Sequence, residues 1–294
     1  MSQKAVHVPV MLRETLQELR LEPGLTVMDG TVGAAGHSSR ILTQIGSEGR
    51  LLGFDRDPMM LGLARQLLDS PNVSLFHASY SEAAEIFSEN GITGVDRVLL
   101  DLGLSSDQLA DRERGFGFDA GGPLDMRFDV SSGNSVAEFL ASASETELET
   151  VLREYGEERS AAAISQEVCR TRTKYPIRTT QDLESCVARA SRSSSRTGSN
   201  PATRTFQALR IAVNRELEHV ERMVSEVLPE ILNPGGIAVI ITFHSLEDRI
   251  VKNAFKGRQL WTALTRKPIA STPAEIRLNP RSRSAKLRVA QTNP

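Results

Sequence analysis

Four apolar runs in the first third of the chain alternate with helical patterns, and this alternation limits the fold more than any other feature. The runs lie in "LTVMDG", "RLLGFDRD", "NVSLFHAS" and "DRVLLDLG", and segments such as "SSRILTQIG" and "MMLGLARQLLDS" separate them. Strand–helix–strand alternation predicts parallel strands joined by right-handed crossovers. The runs are mostly apolar rather than alternating, as expected for strands covered on both faces.

The alternation stops after Asp101 and returns near residue 207. The segment between holds a glycine-rich stretch and several helical patterns but no comparable strand. Beyond it, "IAVIITF" predicts a fifth strand and "AKLRVAQ" a closing strand. We therefore predict an α/β, Rossmann-like sheet, mostly parallel with one antiparallel closing strand. Residues 1–106 and 207–294 form this sheet domain, and residues 107–206 form a helical insertion between strands four and five.

The composition predicts a soluble cytoplasmic protein without a metal site. Hydrophobic residues make up 39% of the chain and charged residues 24%, values that are ordinary for a globular protein. No apolar run approaches membrane-spanning length, and the amphipathic N-terminus lacks a signal-peptide core. Cys169 and Cys186 form no CxxC pattern, which argues for a reducing compartment and against a zinc site or disulfide framework.

The net charge of −2 conceals an uneven distribution. Between Arg170 and Arg215, ten Arg and Lys residues face two acidic residues, and between Arg266 and Arg288 seven face one. Two basic segments in an otherwise acidic chain favour a polyanion-binding face. The alternative is that these arginines only cover solvated faces of the protein.

The first strand ends in a glycine loop that matches neither common phosphate-binding pattern. Gly30, Gly33 and Gly36 are spaced G-x-x-G-x-x-G, without the lysine of a P-loop and without the dinucleotide spacing G-x-G-x-x-G. The loop therefore predicts close approach of the backbone to a ligand without phosphates. Asp29, beside the loop, would suit a cationic group of that ligand.

Three further residues end strands at the same predicted edge. Asp55 ends the second strand at a spacing suited to binding two ribose hydroxyls. Tyr80 follows the third strand, where a ring can cover an adenine, and Asp101 ends the fourth. A nucleoside with a positive tail and no phosphates, S-adenosylmethionine, fits this set. The alternative is that the glycines only shape a turn and Asp55 only caps the next helix.

Seven motifs closely resemble the MraW/RsmH family of bacterial ribosomal-RNA methyltransferases. They are "DGTVGAAGHS", "LLDLGLSSDQL", "RGFGF", "GPLDMRFD", "NPATRTFQALRIAVNRELE", "FHSLEDRIVK" and "NPRSRSAKLRV", and they run almost end to end. The resemblance implies a class I methyltransferase fold and methylation of the exocyclic N4 amine of a cytidine in the decoding region of small-subunit ribosomal RNA. It implies S-adenosylmethionine as donor and S-adenosylhomocysteine as product. We expect small-subunit ribosomal RNA within an assembled or nearly assembled subunit as the partner, and naked RNA stays open as the alternative.

The resemblance also assigns donor contacts to residues of this chain. The residues so assigned are Ala35, Gly36, His37, Asp55, Tyr80, Asp101 and Gln108. Gly33 is a further donor-binding candidate from the glycine loop itself. Ala35 replaces a common glycine, and we expect its backbone N–H still to serve the donor unless the position needs a positive φ. Tyr80 stands where phenylalanine is frequent, and the segment after Phe255 is shorter than in many members.

A cytosine amine is a weak nucleophile, so a catalyst must align it and accept its hydrogen bonds as positive charge develops. Asp101 is the first candidate for this acceptor, although it can equally hold the donor. His244, after the fifth strand, is a rival, with a purely structural hydrogen bond as its alternative. His37 is expected to stabilise the loop or the donor rather than to move protons.

Chemistry on a base edge requires the base to leave its stack, so we expect a flipped or single-stranded cytidine. Phe116, Phe118 and Phe128 are candidates for the pocket wall, with core packing as their alternative. The candidates for phosphate contacts are Arg192, Arg196, Arg204, Arg281, Arg283 and Lys286.

Other functions stay open from the sequence alone. They are an amine methyltransferase acting on DNA or protein, a non-catalytic ribosome-assembly factor and a nicotinamide-dependent oxidoreductase. The oligomeric state is also open, and a dimer is one of the alternatives.

Overall fold

The structure, a computed structural model, describes residues 9–118, 121–191, 200–257 and 259–293. The chain divides into two compact units. The first combines Met1–Gly103 with Leu217–Pro294, and the second is Leu104–Glu216. Two clusters of buried hydrophobic residues lie in the first unit and one in the second.

One eight-stranded sheet forms the centre of the first unit. Its strands are β1 (Thr26–Asp29), β2 (Arg50–Asp55), β3 (Val73–His77), β4 (Val95–Asp101), β5 (Leu232–Thr242), β6 (Trp261–Ala263), β7 (Ile269–Ala270) and β8 (Lys286–Thr292). Their order is β3-β2-β1-β4-β5-β8-β6, and β7 also pairs with β8. The first five strands pair in parallel, and β8 runs antiparallel to β5. The predicted mostly parallel sheet with an antiparallel closing strand is confirmed, whereas the short strands β6 and β7 were not predicted.

Both faces of the sheet are buried, which explains the continuous apolar runs. Val27, Leu51 and Leu99 belong to one buried cluster, and their chain neighbours Met28 and Leu52 belong to the other. Successive residues of a strand point to opposite faces, so both sets must be apolar when both faces are covered. The strand order reverses at β1, so the carboxyl ends of β1 and β4 flank the crevice where ligands bind in such folds.

Fourteen α-helical segments accompany the strands in the described parts of the chain. They are α1 (Leu12–Leu19), α2 (Gly36–Ile45), α3 (Pro58–Leu67), α4 (Ala83–Glu89), α5 (Ser106–Ala110), α6 (Val136–Ser142), α7 (Glu145–Gly156), α8 (Ala161–Arg172), α9 (Thr180–Ala190), α10 (Thr203–Asn214), α11 (Glu216–Arg222), α12 (Leu228–Ile231), α13 (Ser245–Ala254) and α14 (Pro273–Leu278). Helices α5 to α10 lie in the second unit.

The second unit is helical, and its limits differ from the predicted residues 107–206. It extends from Leu104 to Glu216, so α10 belongs to it as a whole. The physical reason is the apolar face of α10, where Phe206 and Leu209 are buried in this unit's core. Helical periodicity showed that α10 has an apolar face but not which core receives it.

None of the helices in the described residues is both long enough and apolar enough to cross a membrane.

Candidate functional site

The carboxyl ends of the parallel strands bring three predicted aspartates to one edge of the sheet. Asp29 is in register with Gly53 of β2 and Leu99 of β4, and Asp101 is in register with Ile241 of β5. Asp55 ends β2 on the same edge. The glycine loop leaves β1 at this edge and continues into α2.

Asp29 holds the loop together through both of its carboxylate oxygens. Its Oδ1 accepts the Thr31 N–H at 3.1 Å, and its Oδ2 accepts the Ser38 hydroxyl at 2.6 Å. The residue is 1% exposed, and this burial raises the pKa of its carboxyl group. Both oxygens of this buried carboxylate bind groups of the loop, and the contact of Asp29 with a cationic ligand group stays a prediction.

The loop backbone is set by left-handed residues. Gly33 has a φ of 52° and donates its N–H to Asp55 Oδ2 at 2.8 Å. Ala35 has a φ of 64°, and its N–H donates to the Val32 carbonyl at 2.8 Å. The Ala35 N–H is therefore used inside the loop, and alanine here has the positive φ that the sequence analysis named as the exception, a conformation that favours glycine. A contact between Ala35 and the donor stays a prediction. Gly36 begins α2, and a Cβ there would lie 2.5 Å from Pro9 Cγ.

Asp55 accepts one backbone N–H on each of its carboxylate oxygens. Its two oxygens accept the N–H groups of Gly33 and Asp57, each at 2.8 Å. Burial raises the pKa of this carboxyl to about 6, against the opposing effect of the two N–H donors. A carboxylate oxygen accepts about two hydrogen bonds, so each oxygen keeps an acceptor position. Asp57, not Asp55, caps α3, because its side chain accepts the Met59 N–H.

Asp101 and His37 form a buried pair at the end of β4. Nε2 of His37 lies 3.5 Å from Oδ2 of Asp101, and the two side chains are 7% and 23% exposed. Oδ1 of Asp101 and both ring nitrogens of His37 have no hydrogen-bond partner among the residues that the structure describes. The Asp101 N–H donates to the Thr31 hydroxyl at 2.7 Å. Buried polar atoms are normally satisfied, so this group indicates a place that a ligand completes.

Tyr80 lies next to the end of β1. It opens a 3₁₀ turn, Tyr80–Glu82, directly after β3, and it is 9% exposed. A Cβ on Gly30 would lie 2.3 Å from Leu100 Cδ2 and 2.9 Å from Tyr80 Cβ. Only glycine therefore allows this close approach between β1, β4 and the Tyr80 turn.

His244 is the N-cap of α13. Its Nδ1 accepts the Glu247 N–H at 3.3 Å, and its Nε2 lies 3.1 Å from Glu247 Oε1. Glu247 is 1% exposed, and its Oε2 accepts the Phe243 N–H at 2.8 Å. Nε2 is buried and makes no hydrogen bond with any described residue, so the structural role rests on the cap that Nδ1 provides. This geometry favours the structural alternative for His244 over a role as catalytic acceptor.

Gln108 belongs to the second unit and serves α5. It forms a capping box with Ser105, in which Gln108 Oε1 accepts the Ser105 N–H and the Gln108 N–H donates to Ser105 Oγ, both at 3.0 Å. The side chain is 4% exposed.

The three candidate wall residues separate into two groups. Phe116 and Phe128 stack with ring centroids 5.8 Å apart, and Phe118 meets Phe206 edge-to-face. Phe116 is buried in the core of the second unit, and Phe118 and Phe128 are partly buried against it. The Asp125 carboxylate pairs with Arg127 and stabilises the same loop.

The predicted RNA-contacting residues lie apart along the chain. Arg204 is exposed in the second unit and donates to the Glu157 carbonyl. In the first unit Arg281 is half-buried and Arg283 exposed, while Lys286 Nζ lies 3.4 Å from Asp248 Oδ2. Arg192 and Arg196 lie outside the described residues.

Comparison with known proteins identifies the family. The family model described as the MraW methylase family matches residues 4–293. The chain belongs to the MraW methylase family. Family members named ribosomal RNA small subunit methyltransferase H include one from Nitrosospira multiformis, 42% identical over 313 residues that cover 99% of this chain and 98% of that protein. Another, from Trichlorobacter lovleyi, is 44% identical over 307 residues, with 97% of each chain covered.

One similar solved structure is a rRNA methylase from Streptococcus thermophilus. It covers 100% of this chain and 99% of that one, with 11% identity and a TM-score of 0.43, values too low to support an argument.

The methyl donor of this family member is S-adenosylmethionine, and the site residues fit it. Asp55 keeps two acceptor positions for vicinal hydroxyls, and the loop lacks the lysine that a phosphate would need. Oδ1 of Asp101 supplies a further buried acceptor beside the loop. A nucleoside donor without phosphates matches this set of groups.

Proposed function

We propose that this protein transfers a methyl group from S-adenosylmethionine to the N4 amine of a specific cytidine in the decoding region of bacterial small-subunit ribosomal RNA. The names of its relatives support ribosomal RNA of the small subunit as the substrate class. The substrate is an assembled or nearly assembled subunit, and the reaction takes place in the cytoplasm. The resemblance of the sequence motifs to the MraW/RsmH family supports cytidine as the base, N4 as the methylated atom and the decoding region as its place in the RNA.

The donor lies across the ends of β1, β2 and β4. Asp55 binds the ribose hydroxyls through its two remaining acceptor positions. Tyr80 covers the adenine, and the backbone of Gly33, Gly36 and His37 borders the rest of the donor. Gln108 keeps its inferred donor contact from the resemblance alone, because its side chain caps α5.

Oδ1 of Asp101 is the observation that carries the proposal. It is a buried carboxylate oxygen without a partner among the described residues, at the edge where the reaction must occur. Bound there, the donor supplies an electrophilic methyl group on a sulfonium. Asp101 accepts a hydrogen bond from the amine and so orients the nitrogen lone pair towards the methyl carbon. As the N–C bond forms and the S–C bond breaks, the amine proton passes to Oδ1.

His37 acts on Asp101 rather than on the substrate. Its imidazole lies 3.5 Å from the other carboxylate oxygen, and the His37 side chain is 7% exposed. A water-poor site strengthens the interaction between the carboxylate and the developing positive charge. Asp29 is placed behind the loop as a positioning residue, and His244 serves the fold of α13.

The second unit serves RNA recognition, together with the basic segment that precedes β8. Arg204, Arg281, Arg283 and Lys286, with Arg192 and Arg196, supply phosphate contacts and therefore salt-sensitive affinity. The stacked pair Phe116 and Phe128 offers an aromatic wall for a flipped cytosine.

The test is mass spectrometry of ribosomal RNA from cells that lack this protein. We expect one N4-methyl mark to be lost, wild-type protein to restore it, and Asp101→Asn to leave it absent. Calorimetry with S-adenosylmethionine checks that Asp101→Asn still binds the donor, so that lost methylation reports on the amine and not on donor binding. Full methylation by Asp101→Asn would refute the assigned acceptor.

Radiolabelled methyl transfer to RNA, DNA and protein separates the remaining alternatives. We expect label in small-subunit RNA alone. Label in DNA or protein would contradict ribosomal RNA as the substrate. Donor binding without any methyl transfer would indicate a non-catalytic assembly factor.

A further inference from the structure

Two serines on either side of Tyr80 converge on one atom of a distant histidine. Ser81 Oγ lies 2.7 Å from Nδ1 of His219, and Ser79 Oγ lies 3.1 Å from the same nitrogen. The two hydroxyl oxygens are 2.9 Å apart. His219 lies on α11, 138 residues further along the chain than Ser81. One imidazole therefore holds both chain neighbours of Tyr80.

The Tyr80 ring contacts the same imidazole. The two ring centroids are 6.4 Å apart with an interplanar angle of 75°, an edge-to-face arrangement. Aromatic pairs prefer this geometry because the positive edge of one ring meets the negative face of the other. His219 thus restrains Tyr80 through its ring as well as through its two neighbours.

The turn does not need His219 to close. Ser79 accepts the Ser81 N–H, and the Glu82 carboxylate accepts the Ser79 N–H at 2.8 Å, so a capping box already binds the turn's backbone. The imidazole instead contacts the two hydroxyls, on residues that are 3% and 1% exposed. Buried hydroxyls that lose a partner favour rearrangement of the turn.

We propose that His219 is a positioning residue for donor recognition, which fixes the Tyr80 ring at the carboxyl edge of the sheet. The inference rests on the proposed placement of Tyr80 over the donor's adenine. A preorganised ring costs the donor less conformational entropy on binding than a mobile one. His219 therefore acts on donor affinity, while the methyl transfer itself depends on Asp101.

The test compares three variants on α11. His219→Leu keeps the bulk and removes the nitrogen, His219→Asn restores one polar atom near the position of Nδ1, and Arg222→Ala removes a surface ion pair with Glu85 as the matched control. Calorimetry measures the affinity for S-adenosylmethionine and S-adenosylhomocysteine, and steady-state kinetics separate the donor KM from kcat. Thermal unfolding confirms that each variant is folded.

We expect His219→Leu to weaken donor affinity and raise the donor KM by about tenfold, with kcat at saturating donor within about twofold. His219→Asn should recover most of the affinity, and Arg222→Ala should match the wild type. In a Tyr80→Ala background His219→Leu should have little further effect, because residues that act together are not additive. Independent effects of the two substitutions would overturn the proposal.

The calorimetric part of this test uses no RNA, so its result does not depend on the identity of the methyl acceptor, whereas the donor KM and kcat are measured with small-subunit RNA. Equal donor affinity in wild type and His219→Leu would overturn the role of His219 and leave the proposed function intact. If His219→Leu does not fold, Ser81→Ala, which removes the 2.7 Å partner of Nδ1, decides in its place through its coupling to Tyr80→Ala. If the wild type does not bind S-adenosylmethionine, both its proposed use as the methyl donor and the proposed role of His219 are refuted.

Discussion

Burial raises the pKa of the Asp55 carboxyl to about 6, and the same carboxylate accepts two backbone N–H groups. Ribose hydroxyls donate to the charged form, so donor binding favours loss of the proton. As the pH falls through about 6, free protein takes up a proton that the donor complex must release. We expect donor affinity measured by calorimetry to be flat above pH 7 and about tenfold weaker at pH 5.

Two variants identify the titrating group. Asp55→Asn should bind the donor weakly and lose the change in affinity near pH 6. Asp57→Asn keeps a side chain able to cap α3 and should retain that change. A wild-type affinity that is the same at pH 5 and pH 8 would contradict the assignment of Asp55 to the ribose.

Sequence spacing located the residues at strand ends but not their hydrogen bonds. Asp55 and Asp101 were recognisable because parallel strands end at one edge. The bond from Ser38 to Asp29 and the bond from the Ala35 N–H to the Val32 carbonyl depend on the path of the loop. Sequence spacing does not specify that path. His219 was missed because its partners lie more than a hundred residues away.

At the scale of the element, His244 follows a strand and precedes a helix, so its polar side chain can either take part in catalysis or cap the helix. Its Nδ1 caps α13 through the Glu247 N–H. Because asparagine is also a good N-cap, His244→Asn should retain methyl transfer and stability. His244→Ala should lower the free energy of unfolding by about 1 kcal/mol, measured by urea denaturation, because the cap is lost.

Activity and stability together decide between the two roles of His244. Loss of methyl transfer in a fully stable His244→Asn variant would restore His244 as a catalytic candidate. Ser135→Ala provides a matched control, since Ser135 caps α6 in the second unit and should cost a similar free energy of unfolding.

Helices and strands were predictable where burial of one or both faces produces a regular pattern of apolar residues in the sequence. The first five strands are covered on both faces and read as apolar runs, and Ser135 with Glu138 marked the start of α6. Strands β6 and β7 have three and two residues, too few to show a period. The predicted limit at residue 206 and the observed limit at Glu216 differ, because the apolar face of a helix does not show in the sequence which core it packs against.

At the scale of the whole molecule, the net charge of −2 conceals a positively charged segment between β6 and β8. Arg266, Lys267, Arg277 and Arg283 are exposed, and none of them forms an ion pair with a described residue. The acid in this segment, Glu275, instead accepts the Met11 N–H. Uncompensated cations on one segment are typical of phosphate-contacting surfaces.

Removing two of these cations should weaken RNA binding in a salt-dependent way. Each phosphate contact contributes about 0.7 to 0.9 to the slope of log affinity against log salt concentration, so Arg277→Ala with Arg283→Ala should reduce the slope by about 1.5. Arg50 begins β2 at the opposite edge of the sheet and Arg13 is exposed on α1, so Arg13→Ala with Arg50→Ala removes the same charge elsewhere. Fluorescence anisotropy with small-subunit RNA measures both slopes. Equal reductions in the two double variants would mean that net charge alone attracts the RNA, whereas a reduction confined to Arg277 and Arg283 would locate the contact.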